Sequence, residues 1–388
     1  MTRTVTIVTA CLLGGAAAAA AQTGQAGGLT LRLGGRVQAQ FSTTSVDEAE
    51  LVARQRAPSA PIPASMFETR RVRLSTELDY GDAVTGKLEI EYGMARLLLR
   101  DTWMNIALDP RLQLRVGQFK KPFSLLQLTS STRWPIIERG VRMRGLQEAL
   151  LADDADSVIT TFRGTVVPGE EQELLEQFGY QNFDLGGAIH GSLGRFGYQI
   201  GMFNGTGADQ RDDTDGKSVA GRATVRPIAG VPLTIGVGVS TREFRLRTTP
   251  SILTRSGAAY EVDMEWGDFR RSGLHIIAEA ATGTNLAVDE TFTAGQFIAA
   301  WYKPLSNQKI EGWELAGRVG YGDPRRAVRG DDALLLTPGF NIYFSGRNRL
   351  MVNWDVYMPR GDGFQTMHAL RVQAQIYFLT QLVPQDRT

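Results

Sequence analysis

The sequence predicts an all-β fold, an antiparallel transmembrane β-barrel of about sixteen strands. Three observations indicate it. Apolar and polar residues alternate along many short stretches, and tight turns alternate with long loops between those stretches. The third observation is a leader sequence that precedes a chain with neither a cysteine nor a long apolar segment.

Alternation with a period of two residues is typical of β-strands, because successive side chains point to opposite faces. In the stretch 71–80, Val72, Leu74 and Leu78 share one face, while Arg71 and Arg73 share the other. A soluble sandwich buries its apolar face and a membrane barrel turns it outward, so alternation alone leaves both folds open. The predicted strands lie near 35–41, 71–80, 86–92, 101–108, 111–119, 183–193, 196–203, 219–226, 233–241, 258–266, 273–281, 295–302, 312–321, 336–344, 349–358 and 369–378.

The connections between these strands alternate in length. Residues 81–82 and 109–110 are tight turns, whereas 42–70 and 120–182 are long. Bacterial outer-membrane barrels have short periplasmic turns and long extracellular loops, so the alternation favours such a barrel over a secreted sandwich with a binding or structural role. The stretch 157–162 is assigned to the long loop, because a seventeenth strand would break the alternation.

The N-terminus has the three parts of a secretory signal: a basic Arg3, an apolar run and an Ala-x-Ala end at Ala19 to Ala21. Cleavage after about Ala21 would remove Cys11, the one cysteine of the sequence. No later segment has the roughly 20 consecutive apolar residues of a transmembrane helix. We therefore expect a mature protein in the outer membrane of a Gram-negative cell.

Aromatic residues on the apolar phase lie close to the predicted strand ends. Outer-membrane barrels carry such aromatic girdles where lipid meets water. The last strand also ends in an aromatic residue, which suits recognition by the barrel-assembly machinery. The aromatic residues are Tyr80, Tyr92, Trp266, Trp301, Tyr321, Phe344 and Phe378.

Basic residues occur on the polar phase of a predicted strand and at the start of the long loop 120–182. Arg71 and Arg73 share the polar phase of one strand, and Lys121 continues the polar phase of another. Lys120 nominally points outward unless a bulge or the loop rotates it, and Arg133 lies within the loop. Fixed positive charge in a narrow opening attracts anions strongly, since the dielectric constant there is low. The pattern predicts a pore that conducts small anions.

Acidic residues on the same polar phase oppose this interpretation. Glu77, Glu89 and Glu91 are among them, and the formal net charge of the whole chain is only +1. The distal half of the long loop is also acidic, from Asp153 to Glu176. A general or weakly selective pore, in which lumen acids cancel the basic residues, stays open as an alternative.

The sequence does not indicate an enzyme, a metal site or a cofactor. His190, His275 and His368 are far apart and have no cysteine partner, so a zinc site or a cysteine nucleophile is not expected. The balanced charge and the secretory signal also argue against nucleic-acid binding.

Several segments, in order along the chain, resemble the phosphate-selective porin O and P family of Gram-negative outer membranes. No single motif is decisive, but the ordered set is fairly specific. The segments are FETRRVRL at 67–74, LRVGQFKKPFSLLQLTSS at 114–131, IIERG at 136–140, YQIGMFNGTG at 198–207, GWELAGRVGYGD at 312–323, LTPGFNIYF at 336–344 and LRVQAQIYF at 370–378.

This resemblance implies a homotrimer of sixteen-stranded barrels, each with a long third extracellular loop folded into the lumen. It also implies passage of anions such as phosphate or polyphosphate. The basic residues of the family's double-arginine and GQFK segments line the pore, and here these positions are Arg70, Arg71, Lys120 and Lys121.

The expected organisation of the chain follows from these boundaries. A signal peptide at 1–21 precedes an N-terminal periplasmic segment at 22–34, a barrel at 35–378 that contains the constriction loop 120–182, and a C-terminal tail at 379–388.

Overall fold

The computed structural model describes residues 29–44, 65–93, 96–143, 166–169, 174–208, 212, 216–247, 252–286, 289–307, 309–360 and 366–381. The predicted signal peptide at 1–21, the stretch 157–162 and the end of the predicted tail lie outside these residues. Among the residues described, no helix is long and apolar enough to cross a membrane.

Sixteen antiparallel strands form a closed barrel, as predicted. Each barrel strand pairs with the barrel strands before and after it along the chain, and the last strand closes the barrel on the first. The barrel strands are β1 (Leu29–Thr44), β2 (Ser65–Tyr80), β3 (Val84–Gly93), β4 (Arg96–Asp109), β5 (Leu112–Lys120), β8 (Phe183–Leu193), β9 (Phe196–Phe203), β10 (Ser218–Val225), β11 (Leu233–Arg247), β12 (Ile252–Trp266), β13 (Gly273–Asn285), β14 (Glu290–Pro304), β15 (Gly312–Asp323), β16 (Ala333–Tyr343), β17 (Arg349–Pro359) and β18 (Met367–Gln381).

The long connection between β5 and β8 contains short elements of its own. Strands β6 (Gly140–Met143) and β7 (Val166–Gly169) pair as a separate two-stranded sheet. Helix α1 (Leu125–Leu128), a 3-10 helix (Ser131–Arg133) and helix α2 (Leu174–Gln177) flank this sheet along the chain. The Ser124 hydroxyl caps α1 by accepting a hydrogen bond from the backbone N–H of Gln127.

Several strands extend beyond their predicted limits, mostly toward the long loops. β1 begins at Leu29, within the segment predicted to be periplasmic, and β18 runs to Gln381, into the predicted tail. β2 begins at Ser65 and β11 ends at Arg247. At the start of β2 the apolar phase is interrupted, because outward Phe67 lies between polar Ser65 and Thr69 while the backbone ladder with β1 continues.

The two faces of the barrel wall differ in composition. On β18, Leu370 and Ile376 are exposed, whereas Arg371 and Gln373 on the opposite phase are each 1% exposed. This apolar-out, polar-in arrangement is typical of a barrel in lipid and is the reverse of a soluble sandwich. Five of the seven aromatic residues expected in the girdles, namely Tyr80, Tyr92, Trp301, Phe344 and Phe378, are exposed.

Candidate functional site

A β-bulge explains the inward position of the double arginine. On β1 and β2, Gln38 is opposite Arg71 and the next residue, Ala39, is opposite Thr69. Arg70 is therefore the extra residue of a bulge, which places two consecutive side chains on one face. Arg70 and Arg71 are 3% and 8% exposed, in agreement with this geometry.

Arg70 and Arg71 both contact Glu138 of the long connection. Arg70 donates two hydrogen bonds to its carboxylate, at 2.8 and 3.1 Å, and both side chains are 3% exposed. The Arg71 guanidinium lies 3.7 Å from the same carboxylate and also donates to Gln38. This ion pair ties the connection to β2.

Arg73 lies next to a network of alternating charge on β2, β3 and β4. It bonds Glu89 at 2.7 Å and also bonds Glu91. Lys87 lies 2.8 Å from Asp101, and the Arg100 Nε lies 3.0 Å from Glu91. Arg100 and Asp101 of β4 are both opposite the single residue Glu89 of β3, which is a second bulge. This bulge lets both side chains reach inward partners.

A water-accessible cleft of about 260 Å³ lies between this network and the start of the long connection. We call it the basic cleft. Trp103, Phe119, Leu128, Ser130 and Gln199 complete its lining. Its charged residues are five cations and two carboxylates: Arg36, Arg73, Lys87, Arg115, Lys120, Glu89 and Asp101.

Three of these cations have no carboxylate bound to them among the described residues. The Arg36 guanidinium reaches only the Ser130 hydroxyl, at 3.4 Å. The Arg115 guanidinium stacks 4.4 Å from the ring centroid of Trp103. The Lys120 ammonium donates to the carbonyl of Gln127 and lies 5.7 Å from the ring centroid of Phe183.

Gly117 explains why Lys120 is not turned outward. The φ of this glycine is 129°, and a Cβ there would lie 2.3 Å from the carbonyl oxygen of Thr102. Beyond this point the alternation of β5 ends, since Gln118 and Phe119 are both buried. Lys120 then lines the basic cleft.

Lys121, near the start of the long connection, bonds residues near its end. Its backbone N–H donates to the carbonyl of Asn182 at 2.9 Å, and its ammonium donates to the carbonyl of Gly179 at 2.5 Å. Burial lowers the pKa of Lys121 to about 7, and the carboxylate of Asp184 offsets part of that shift. The side chain is 1% exposed and joins the two ends of the connection.

Arg133 lies away from the basic cleft. It lines a second cleft, of about 570 Å³, with residues of three short turns on the opposite side from the long loops. Arg195, Arg226 and Arg271 are the cations that these turns provide. The structure thus brings Arg73 and Lys120 together and leaves Arg133 elsewhere.

Backbone atoms of the long connection bind polar side chains of β15 to β17. Arg349 donates to the carbonyls of Trp134 and Ser131, at 2.5 and 2.9 Å. Arg318 donates to the carbonyl of Glu138 at 2.6 Å, and the N–H of Ile137 donates to Asn353 at 2.6 Å. These strands therefore use their polar phase to hold the connection.

Apolar and acidic contacts extend this attachment to β13 and β14. Leu125, Leu126, Trp134 and Ile136 pack against Ile277 and Ile298. The carboxylate of Glu279 accepts hydrogen bonds from the hydroxyl of Ser124 and the N–H of Leu126, at 3.0 and 3.1 Å.

Arg318 and Arg371 share one acid on this side of the barrel. Arg318 lies 3.1 Å from Asp355, Arg371 bonds the other carboxylate oxygen, and all three side chains are 1–2% exposed. One carboxylate thus offsets one of the two positive charges inside the wall. Within the part of the chain that the structure describes, no group of three or more His, Cys, Asp or Glu residues is placed to hold a metal ion.

A family model described as phosphate-selective porin O and P matches residues 21–267. The chain belongs to this family. A search of curated protein sequences gives no match. The protein is thus a non-enzymatic β-barrel porin of the outer membrane.

Solved structures show the same fold. The anion-selective porin from Comamonas acidovorans is 12% identical with a TM-score of 0.57, and the match covers 90% of this chain and 100% of that one. The outer membrane channel DcaP of Acinetobacter baumannii is 12% identical with a TM-score of 0.56, over 91% and 99% of the two chains. OmpT of Vibrio cholerae is 9% identical with a TM-score of 0.54, over 91% and 99%.

The range matched by the porin family contains both bulges and all residues of the basic cleft. Strands β13 to β17, which hold the long connection, follow that range. Sequence reasoning missed Arg36 and Arg115 as candidate site residues of this porin. Their strand phase could have indicated them, because Arg36 shares the polar phase of Gln38 and Gln40, and Arg115 shares that of Gln113.

Proposed function

We propose that this porin conducts small anions, and that they pass along one side of the barrel. We call this side the open wall; it consists of the inward side chains of β2 to β5 and β8 to β10. The observation that supports the proposal is the basic cleft, where five cations face two carboxylates. Lys87, Arg100, Arg115 and Gln199 on this wall are half-buried and retain contact with solvent.

The charge pattern of the open wall suits conduction better than tight binding. Coulomb attraction is several times stronger in a narrow protein opening than in bulk water, so unpaired cations there concentrate anions. Glu89 and Asp101 weaken that attraction locally, because they bind Arg73 and Lys87. An anion can then move between several moderate sites and be released.

We infer that the long connection narrows the passage. Its segment 121–140 contacts inward side chains of β1 and β2 as well as those of β13 to β17, and such contacts require it to cross the interior. In this proposal Arg70, Arg71 and Lys121 hold the connection in place. Arg73, Lys120 and Arg133 face the route of the anion.

Phosphate and polyphosphate are the first candidate solutes, because the family description names phosphate. A second candidate function is that of a general porin. It is favoured by the acids Glu89, Glu91 and Asp101, which bind Arg73, Arg100 and Lys87. We further propose that the chain assembles as a homotrimer and that the barrel-assembly machinery inserts it.

The test of the proposal is the reversal potential of the purified porin in a planar bilayer under a potassium chloride gradient. We expect anion preference in the wild type. The double variant Arg115→Gln/Lys120→Gln should lose most of it, since it removes two cations of the basic cleft. The control is Arg111→Gln/Arg360→Gln, which removes two exposed arginines outside the cleft.

Cation preference in the wild type would reject the proposal in favour of the general porin. Equal reversal potentials for the two double variants would reject the route along the basic cleft. Repeating the measurement with orthophosphate added tests whether phosphate reduces the chloride current.

A further inference from the structure

Arg36 is a buried cation with unused hydrogen-bonding capacity. Its side chain is 6% exposed, and its Nε and Nη2 atoms have no hydrogen-bond partner among the described residues. Leaving a buried, charged donor unpaired is costly, so such groups are normally satisfied by a partner. Both atoms belong to a side chain that lines the basic cleft.

The neighbours of Arg36 make this cost larger. Arg36 lies directly opposite Arg73 in the β1–β2 ladder, and like charges at opposite positions repel. The nearby carboxylates of Glu89 and Glu91 form ion pairs with Arg73. An anion in the cleft would satisfy the free donors of Arg36 and relieve this repulsion.

Further free donors line the same cleft. The Nε of Arg115 has no hydrogen-bond partner within the described part of the chain. The Lys120 ammonium has three N–H donors, and one of them bonds the carbonyl of Gln127, so the other two can bond an anion. An anion in the cleft would therefore be surrounded by cations.

Beside its charged residues the cleft has an apolar part. Trp103, Phe119 and Leu128 form it, and the polar residues Ser130 and Gln199 complete the lining. Inorganic phosphate is polar on every side, so an oxygen that faces the apolar part of the lining would have no partner there. A carboxylate attached to a hydrocarbon group can bond a guanidinium through two parallel hydrogen bonds and bury its apolar part.

We propose that the basic cleft is a binding site for an organic carboxylate, with the carboxylate group at Arg36 and the hydrocarbon part against Trp103 and Leu128. The proposal rests on the proposed anion channel and names a class of solute for it. A cleft of about 260 Å³ accommodates an anion the size of a small organic acid.

The experiment measures block of the chloride current in a planar bilayer by three probes: benzoate, acetate and orthophosphate. Benzoate should reduce the current at a concentration about tenfold lower than acetate, because its ring adds apolar contact. Arg36→Gln should raise the blocking concentration of benzoate roughly tenfold, since it removes a charged hydrogen-bond donor.

Two further variants make the result specific. Arg32→Gln is the matched control, because Arg32 lies on the same phase of β1 but bonds Glu77 and Asp79 at 3.3 and 2.8 Å. It should leave benzoate block unchanged. Leu128→Ser should weaken block by benzoate and not by acetate, and it tests the site even if Arg36→Gln fails to fold.

Equal benzoate block in the wild type, Arg36→Gln and Leu128→Ser would overturn the assignment. Tighter block by orthophosphate than by benzoate would also overturn it and assign the cleft to an inorganic anion. The reversal potential in the same bilayers distinguishes failure of the carboxylate site from failure of the proposed anion channel. Anion preference without benzoate block rejects only this inference, whereas cation preference rejects the channel proposal itself.

Discussion

Two sides of the barrel use the same residue types in different ways. On the open wall, Arg73 and Lys87 bind carboxylates of neighbouring strands and border a water-accessible cleft. On the side formed by β13 to β18, which we call the covered wall, Arg318 and Arg349 bind backbone carbonyls of the long connection. The partner of an arginine therefore decides whether its charge is available to a solute.

Burial follows the same division on β3 to β5, whereas Arg70 and Arg71 on β2, which bind the long connection, are buried. Arg318, Arg349 and Arg371 are each at most 3% exposed, whereas Lys87, Arg100 and Arg115 are half-buried. The inward phase of a basic residue therefore does not by itself show whether a solute can reach its charge. Substitutions that remove the charged contacts of the long connection and the covered wall should reduce this difference, and their expected effects decrease from Asp355 to Glu138 to Lys121.

Removal of the shared acid of the covered wall should have the largest effect. Asp355→Ala would leave Arg318 and Arg371 buried without their carboxylate. Breaking a buried ion pair by removing one partner costs about 3–5 kcal/mol. We expect a large fall in the urea concentration at which the barrel unfolds in detergent. Asp109→Ala, in an exposed turn, is the control and should change it little.

Release of the long connection from β2 should have a smaller effect on stability and a clear effect on current. Glu138→Gln removes the charge that binds Arg70 and Arg71, at a cost of about 1–3 kcal/mol. We expect higher and noisier single-channel conductance. The control is Glu311→Gln, which removes a partly exposed partner of Arg270. Identical conductance in the wild type and Glu138→Gln would show that this ion pair does not position the connection.

The smallest effect concerns the pH dependence of stability at Lys121. Because burial lowers its pKa to about 7, from an ordinary value of 10.5, the unfolded chain binds more protons between those pH values. The folded state should gain stability as the pH rises through this interval. Lys121→Met should lack this gain, as measured by urea unfolding at pH 6 and pH 9. The exposed Lys303→Met should retain it.

The regular part of this fold could be predicted from the sequence. Sixteen stretches with a two-residue period correspond to the sixteen barrel strands, and the longest predicted loop is the connection between β5 and β8. These features depend on neighbouring residues alone. The start of β2 was less predictable, because polar Ser65 and Thr69 interrupt the apolar phase there while the ladder with β1 continues.

The candidate site was less predictable, because irregular backbone decides its composition. A regular ladder allows only one of Arg70 and Arg71 to face inward, and the bulge allows both. Gly117 likewise ends the alternation before Lys120. The partners of Arg349 are distant in sequence, at Ser131 and Trp134, so no local pattern could indicate them.

The most direct test of the difference between the walls uses two glutamines. Gln199 lines the basic cleft on the open wall, and Gln373 on the covered wall is 1% exposed and bonds Gln40 at 2.8 Å. Since the only cysteine of the sequence is Cys11, each can be replaced by cysteine in a Cys11→Ser background. An anionic thiosulfonate reagent is then added during bilayer recording. The account predicts rapid loss of current for Gln199→Cys and none for Gln373→Cys, and equal rates of loss would contradict it.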